Sequence, residues 1–543
     1  MRHSFESLAD VFTYSTRKYA KRPAFNYIGE DQSYTFASFS EICRRQARLL
    51  SNFGISTGDK VAILSQNMPN WPVAFFAITA FGRVAVPMLT ELSENEIRNI
   101  LTHSDTKALY VSRRLYPKVP KELLDRMHVV ISTDDLSIIS AEDSAYTCDG
   151  RPSAPLSDDL ACIIYTSGTT GAAKGVMLSH KNFCANIYAS WIAAPANRRD
   201  VFLSILPLAH TYEMSVGMLY PFSVGAQIHY LNRPPTASAL MPALKSIRPS
   251  FMLSVPLVIE KVYKTSVVPT IQKSKFLSRL KKFSPSLLYW LVGMKLKKTF
   301  GGRVQFFGIG GAKLDPEVEL FLRKAKFPYA VGYGLTETAP LICNANPRQT
   351  HLGGTGIAAA GVEIRIDNPN SEGEGELVVK GDNVMMGYYK DFDRTQQVLS
   401  ADGWFRTGDL ASVDKKRRYY IKGRMGTVIL GPSGENIYPE EIENVINNIN
   451  GINESLVVER GGHLIALVHF EDNVLDWNYE NQDRFVEELD RRKQEILNFV
   501  NSHVNRSSHI KEVQVEKQPF AKTATMKIKR FLYKQKPHET DKQ

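Results

Sequence analysis

Along most of the chain, short runs of apolar and β-branched residues alternate with longer stretches in which apolar positions recur at helical spacing. The runs KVAILS at 60–65, ALYVS at 108–112, ACIIYT at 161–166 and GRVQFFGIGG at 302–311 read as strands buried on both faces. Their alternation with helical stretches predicts α/β layers, sheets flanked by helices. From about Gly361 the strands come closer together (VEIRI, GELVVKG, RRYYIKGR), which predicts a small β-barrel-like subdomain. Strand and helix signals then restart in TVIL, PEEIENVINNI, ESLVVER and HLIALVHF, as expected of a separate small α+β domain. The boundary is placed at Gly426, giving a large domain over 1–425 and a small one over 426–543. Nothing repeats at solenoid periods.

The most apolar region, Pro72 to Leu89, is interrupted by Gly82, Arg83 and Pro87. It predicts a helix and a short strand, not a membrane span of about 20 apolar residues. The opening MRHSFESLADVF carries Glu6 and Asp10 and lacks the apolar core of a secretory signal. Composition adds little: 43% hydrophobic and 23% charged residues are ordinary for a globular protein. The five cysteines are widely spaced with no CxxC pair, so no disulfide framework or zinc site is expected, and a reducing cytoplasm fits. A formal charge of +11 favours anionic partners such as nucleotides, coenzyme A or anionic lipid. No nucleic-acid module is visible.

Chemistry concentrates first in YTSGTTGAAKGVMLSH at 165–180. A strand runs into Thr166, Ser167, Gly168, Thr169, Thr170 and Gly171, followed by Lys174. Glycines admit an anion close to backbone amides, hydroxyls add donors and lysine adds charge, so this is a phosphate cradle. Gly175 follows Lys174 where a Walker loop needs Ser or Thr. The competing reading is a flexible polar loop.

This stretch resembles the signature of the adenylate-forming superfamily of acyl-CoA synthetases, luciferases and peptide-synthetase adenylation domains. Further signatures of that superfamily follow in order: LPLAHTYE at 206–213, GYGLTETAP at 332–340, GWFRTGDL at 403–410, YYIKGR at 419–424, SGENIYPEEIE at 433–443 and PFAKTATMKIKRF at 519–531. The resemblance implies ATP, Mg²⁺ and coenzyme A as reactants, and an acyl-adenylate intermediate. It implies that Tyr333, between Gly332 and Gly334, stacks on adenine and that Gly310, Gly311 and Ala312 line the same pocket. Glu337 and Thr166 are the expected Mg²⁺ ligands, beside Thr336. Asp409 is the expected acceptor of the ribose hydroxyls, joined by Arg424. His210 and Glu213, after a strand ending in LPLAH, are placed at the wall of the acid pocket, His210 as a gate and not a base. Lys527 is the expected catalytic lysine, acting with Glu337, Thr166 and Lys174. The competing reading for it is a charged surface tail, given Lys522 and Lys529. Gly434 belongs to the face expected to form the thiol tunnel once the small domain rotates. Two departures stand out. Gly426 occupies a hinge position that usually carries Asp or Lys, and Met526 precedes the lysine where Gly is usual.

Between Lys264 and Phe300 there are nine basic residues and no acidic one. Phe276, Leu280, Phe283 and Leu287 recur at helical spacing beside Lys275, Arg279 and Lys282, and Ser284–Pro285 predicts a restarted helix. A basic amphipathic patch suits peripheral docking on an anionic membrane; the competing reading packs the apolar face on the core. With VPLVIEKVY at 255–263, this region resembles long-chain fatty-acid–CoA ligases. The expectation is therefore an AMP-forming long-chain fatty acid–CoA ligase. Its rivals are an acyl–acyl-carrier-protein ligase, a ligase for another acid and a non-catalytic acyl or nucleotide binder. A peptide-synthetase module fits less well, because no carrier domain follows Lys527.

Overall fold

The computed structural model describes residues 5–29, 33–142, 153–167, 173–233, 235–430, 436–471, 474–475, 482–523 and 527–533. Two large sheets dominate. The first has eight strands in the order Gly387–Tyr388, Ala173–Ser179, Leu160–Ser167, Val84–Met88, Lys60–Leu64, Thr106–Val111, Val129–Ser132 and Ile138–Ala141. Its central strands are parallel, and an antiparallel hairpin pairs Leu160–Ser167 with Ala173–Ser179, Thr166 lying opposite Lys174. The second has seven strands, from Tyr329–Val331 through Phe306–Ile309, Phe251–Ser254, Val201–Ser204 and Gln227–Tyr230 to Pro23–Tyr27 and Ser33–Thr35, all parallel except the last.

Parallel strands buried on both faces need helices on both, and the sequence supplies them. Helix Asn70–Thr79 is buried at every position, so it shows no polar face. It belongs to an aromatic core built from Phe12, Phe25, Phe39, Phe76 and Phe222. Helix His180–Ala193 starts directly after the hairpin because the Ser179 side chain accepts the Asn182 amide, while Asn182 caps Ser179 in return. The strands Val362–Asp367, Gly375–Gly381, Phe405–Val413 and Tyr419–Arg424 form an antiparallel sheet, where the barrel-like portion was expected. By its hydrogen bonds the sheet is open, with the first and last of these strands as its edges.

Beyond it, Ile452–Arg460, His463–Phe470 and Ile510–Val515 make a three-stranded sheet covered by helices Pro439–Asn447 and Gln482–His503. These elements close around their own core, which includes Ile442, Ile446, Leu464, Val468, Ile496 and Val500. Polar contacts join this module to the body: Lys313–Glu441 at 2.8 Å, Lys264 donating to the Asn447 carbonyl at 3.0 Å and Tyr438 donating to Glu374 at 2.6 Å. Among the described residues no helix is long and apolar enough to cross a membrane.

Candidate active site

A cavity of about 2100 Å³ opens where the two large sheets, the antiparallel sheet and the C-terminal module meet. Thr166, Lys174, His210, Gly310, Gly311, Ala312, Tyr333, Gly334, Thr336, Glu337, Arg424 and Lys527 all contribute to its lining. These residues come from segments scattered across 362 positions of the chain, and the sheet ends bring them to one place.

The floor begins with the segment after strand Tyr329–Val331. Gly334 is required there, since a Cβ would come within 1.8 Å of the Pro340 carbonyl oxygen. The same segment carries a cis Ala339–Pro340 bond and the short turn Thr336–Thr338. Asn186, on the helix after the hairpin, pins this turn from behind: its amide donates to the Thr338 carbonyl at 3.0 Å and accepts from the Leu341 amide at 2.8 Å. Gly311 adopts φ +89°, the left-handed region that glycine enters at little cost.

Asp409 is the anchor of this floor. It is 3% exposed, accepts from the Tyr333 hydroxyl in a short hydrogen bond and pairs with Arg424 Nε at 2.8 Å. Burial lifts its carboxyl above the ordinary value, against the pull of Arg424. Asp409 itself lies just behind the lining, but a carboxylate has about four lone-pair sites, so further donors can still be accepted. Glu337 accepts from the Tyr388 hydroxyl at 3.0 Å. Lys174 lies over the Tyr388 ring, 5.1 Å from its centre. Burial lowers the Lys174 ammonium below its usual value, opposed by the Glu337 charge.

Lys527 faces this floor from the C-terminal module. Lys527 is an exposed residue, yet protein surrounds its ammonium closely enough for burial and Arg424 to depress its pKa, while Asp409 and Glu337 act in the other direction. Its loop is a small hairpin in which the Thr523 amide donates to the Lys527 carbonyl at 2.8 Å and the Lys527 amide to the Thr523 hydroxyl at 3.2 Å. The neighbouring Lys522 behaves differently, pairing with Glu454 at 2.5 Å. One lysine secures the loop and the other enters the cleft.

The LPLAH segment departs from expectation. Strand Val201–Ser204 ends before it, and 206–210 is an irregular loop leading into a π-helical turn, Glu213–Leu219. Pro207 cannot supply a ladder donor. Asn67 holds the loop instead, donating to the Leu206 carbonyl at 2.6 Å and accepting from the Leu208 amide at 2.9 Å. His210 lines the cavity with Nδ1 accepting from the Tyr212 amide at 3.3 Å, so in the neutral ring the proton sits on Nε2. Burial and the Lys527 charge push its pKa down to about 4, so it stays neutral near pH 7. Glu213, expected at the pocket wall, points away from it. It is 1% exposed, burial raises its pKa to about 8, and one carboxyl oxygen has no partner among the described residues. The loop brings His210 to the cavity, and the helical turn that follows it turns Glu213 into the protein.

A family model described as AMP-binding enzyme matches residues 12–389. The chain belongs to that family. Among curated proteins, this AMP-binding enzyme is 29% identical over 521 residues to peroxisomal long chain acyl-CoA synthetase 7 of Arabidopsis thaliana, covering 86% of this chain and 73% of the relative. It is 29% identical over 497 residues to a long-chain-fatty-acid–CoA ligase of Salmonella typhimurium, covering 84% and 83%. Its fold matches O-succinylbenzoate coenzyme A synthetase from Bacillus subtilis in complex with AMP, with a TM-score of 0.76 at 22% identity over 97% of this chain and 98% of that one.

Within this AMP-binding enzyme, Gly168, Thr169, Thr170, Gly171, Gly434 and Met526 lie outside the described residues. Four residues that hold the site were not singled out from the sequence: Asn67, Asn186, Tyr212 and Tyr388. The Tyr212 ring lies against the backbone beneath Gly308 and Gly310. Asn67 reaches the Leu206–Leu208 loop from at least 139 positions away, Asn186 reaches Thr338 from 152 and Tyr388 reaches Glu337 from 51. Only Tyr388, in the GYYKD turn at 387–391, carried a local signal.

Proposed function

We propose that this protein is an ATP-dependent long-chain fatty acid–CoA ligase that works through an acyl-adenylate. The observation that carries this reading is the meeting, in one cavity, of a phosphate-facing hairpin, an aromatic and acidic nucleotide floor, and a lysine supplied by a different module. Toward the interior the cavity is walled by Leu206, Val216, Leu231, Leu253 and Phe306, apolar surface suited to an alkyl chain. The relatives named for long-chain acids point the same way.

In the first half-reaction a carboxylate oxygen of the fatty acid attacks the α-phosphorus of ATP. The bond from that phosphorus to the bridging oxygen of pyrophosphate breaks, and the acyl-adenylate remains. Negative charge gathers around the phosphorus, where Lys174 on the body and Lys527 from the C-terminal module stabilise it. Tyr333 offers a ring face to adenine, and Asp409 with Arg424 takes the ribose hydroxyls. Coenzyme A thiolate, its proton released, then attacks the acyl carbon, and AMP leaves as the thioester forms. His210 stays neutral and presents Nε2–H at the acid pocket, which suits a gate and not a base.

The donors also fit Mg²⁺. Glu337 and Thr166 are oxygen donors on the same cavity, and no cluster of three His, Cys, Asp or Glu exists among the described residues. That is the sparse set expected of an ion completed by water and phosphate oxygens. When bound there it neutralises phosphate charge.

The boundary near Gly426 fits a hinge. Gly426 has open space where a Cβ would lie. The Lys313–Glu441 contact across the boundary is a solvent-exposed ion pair, worth about 0–1 kcal/mol, too little to hold the module in one orientation. Rotation there would withdraw Lys527 after adenylation and admit the thiol.

The test is acid-dependent ATP–pyrophosphate exchange and thioester formation over a panel of acids, with coenzyme A and acyl-carrier protein as alternative acceptors. Long-chain acids with coenzyme A are expected to react fastest. Absence of exchange with every acid would leave only a binding protein, and preference for short or aromatic acids, or for the carrier protein, would overturn the specificity.

A further inference from the structure

The helix pair Lys275–Phe283 and Pro285–Thr299 does not bury all of its apolar side chains. Leu277 and Leu280 pack toward the core, and Leu288, Val292 and Leu296 belong to it. Phe276, Phe283, Leu287, Trp290 and Met294 turn outward, with Phe276 65% and Phe283 85% exposed. The competing reading, in which Phe276, Leu280, Phe283 and Leu287 pack as one face on the core, therefore holds only for Leu280. Five large apolar side chains within 19 positions are more than the scattered exposure of an ordinary surface.

Around them stand Lys273, Lys275, Arg279, Lys281, Lys282, Lys295, Lys297 and Lys298, all exposed and none with an ion-pair partner among the described residues. Between 264 and 300 no acid offsets them, so most of the chain's formal +11 is concentrated here. The run starts at the active-site cavity: Leu257, 70% exposed, and Lys261, Lys264 and Thr265 are part of its lining.

We propose that this helix pair is a docking surface for an anionic lipid bilayer. The aromatic and aliphatic side chains enter the headgroup region, the cations hold the lipid phosphates, and the nearby rim of the cavity receives the acid from the membrane. Aromatic rings with unneutralised lysines match both halves of such an interface, apolar depth and anionic surface. A second copy of the chain fits poorly, because a symmetric contact would set these cations against themselves. The docking rests on the surface alone; delivery of the acid rests on the ligase reading.

The experiment is co-sedimentation of the full chain with phosphatidylcholine vesicles, with and without phosphatidylglycerol, at low and high salt. Binding is expected only with phosphatidylglycerol and should weaken with salt. Lys281→Gln with Lys282→Gln should reduce it on the order of 30-fold, and Phe276→Ser with Phe283→Ser should abolish it. Both variants should form AMP normally from a water-soluble medium-chain acid and lose activity on vesicle-borne fatty acid. The charge variant alters only exposed side chains, so it decides the matter even if the other fails to fold. Equal binding to neutral vesicles, no binding at all, or self-association broken by the same substitutions would overturn the docking. Charge-dependent binding by a protein inactive on every acid would overturn the ligase reading alone.

Discussion

The two faces of the cleft are built on opposite principles. On the body, Asp409 grips both Tyr333 and Arg424, Tyr388 holds Glu337, and Asn186 ties the turn between them, so this floor of the cavity is fixed before any ligand arrives. Facing it, Lys527 makes no ion pair among the described residues and is held only through the backbone of a hairpin whose own anchor is Lys522–Glu454. A preorganised floor spends no reorganisation energy when charge develops. A lysine whose ammonium has no ion-pair partner among the described residues can arrive and leave. The difference is the one expected of a site in which one wall must stay and the other must move.

Cutting the anchor of the fixed face should have the largest effect. Asp409→Ala leaves Tyr333 and Arg424 without their acceptor; it is expected to cost about 2–3 kcal/mol in chemical denaturation and to raise KM for ATP at least about ten-fold. Unchanged stability would show that the floor is not held by this carboxylate. Next comes Glu213, behind the same wall. The folded protein keeps a proton on Glu213 up to about pH 8, whereas the unfolded chain releases it near the ordinary 4.5. Unfolding therefore releases a proton in that window, and stability falls as pH rises from 4.5 toward 8. Glu213→Gln should flatten that fall by about 2–4 kcal/mol at pH 8, read as denaturation midpoints across pH. A parallel pH profile for both proteins would place the titrating group elsewhere.

Tyr388→Phe keeps the ring beneath Lys174 and removes only the hydroxyl on Glu337. A loss of about 1 kcal/mol in kcat/KM, near five-fold, is expected, with a shift in Mg²⁺ dependence. The smallest effect belongs to the proposed hinge. With open space around Gly426, Gly426→Asp should change stability by no more than about 0.5 kcal/mol, and any change in rate should fall on the balance of the two half-reactions.

How far the sequence could be read depended on the kind of signal. Strands such as Lys60–Leu64 and His463–Phe470 were visible because burial on both faces demands an unbroken apolar run. The cavity-lining residues were visible because glycine, hydroxyl and charge recur in ordered motifs. LPLAH misled because an apolar run reads as strand, although the strand stops at Ser204 and Asn67 supports the loop from 139 positions away. Helical spacing grouped Phe276 and Phe283 with Leu280, but periodicity reports a face and not what covers it. Asn67 and Asn186 act through contacts 139 and 152 positions distant, which no local pattern records.

The contrast between a fixed floor and a travelling lysine is tested most directly by measuring the two half-reactions of Lys527→Ala separately. Acyl-adenylate formation from ATP and fatty acid should fall by about 10²–10³-fold, while thioester formation from preformed acyl-adenylate and coenzyme A proceeds at the wild-type rate. Adenylation that persists undiminished, or equal loss in both half-reactions, would contradict the account.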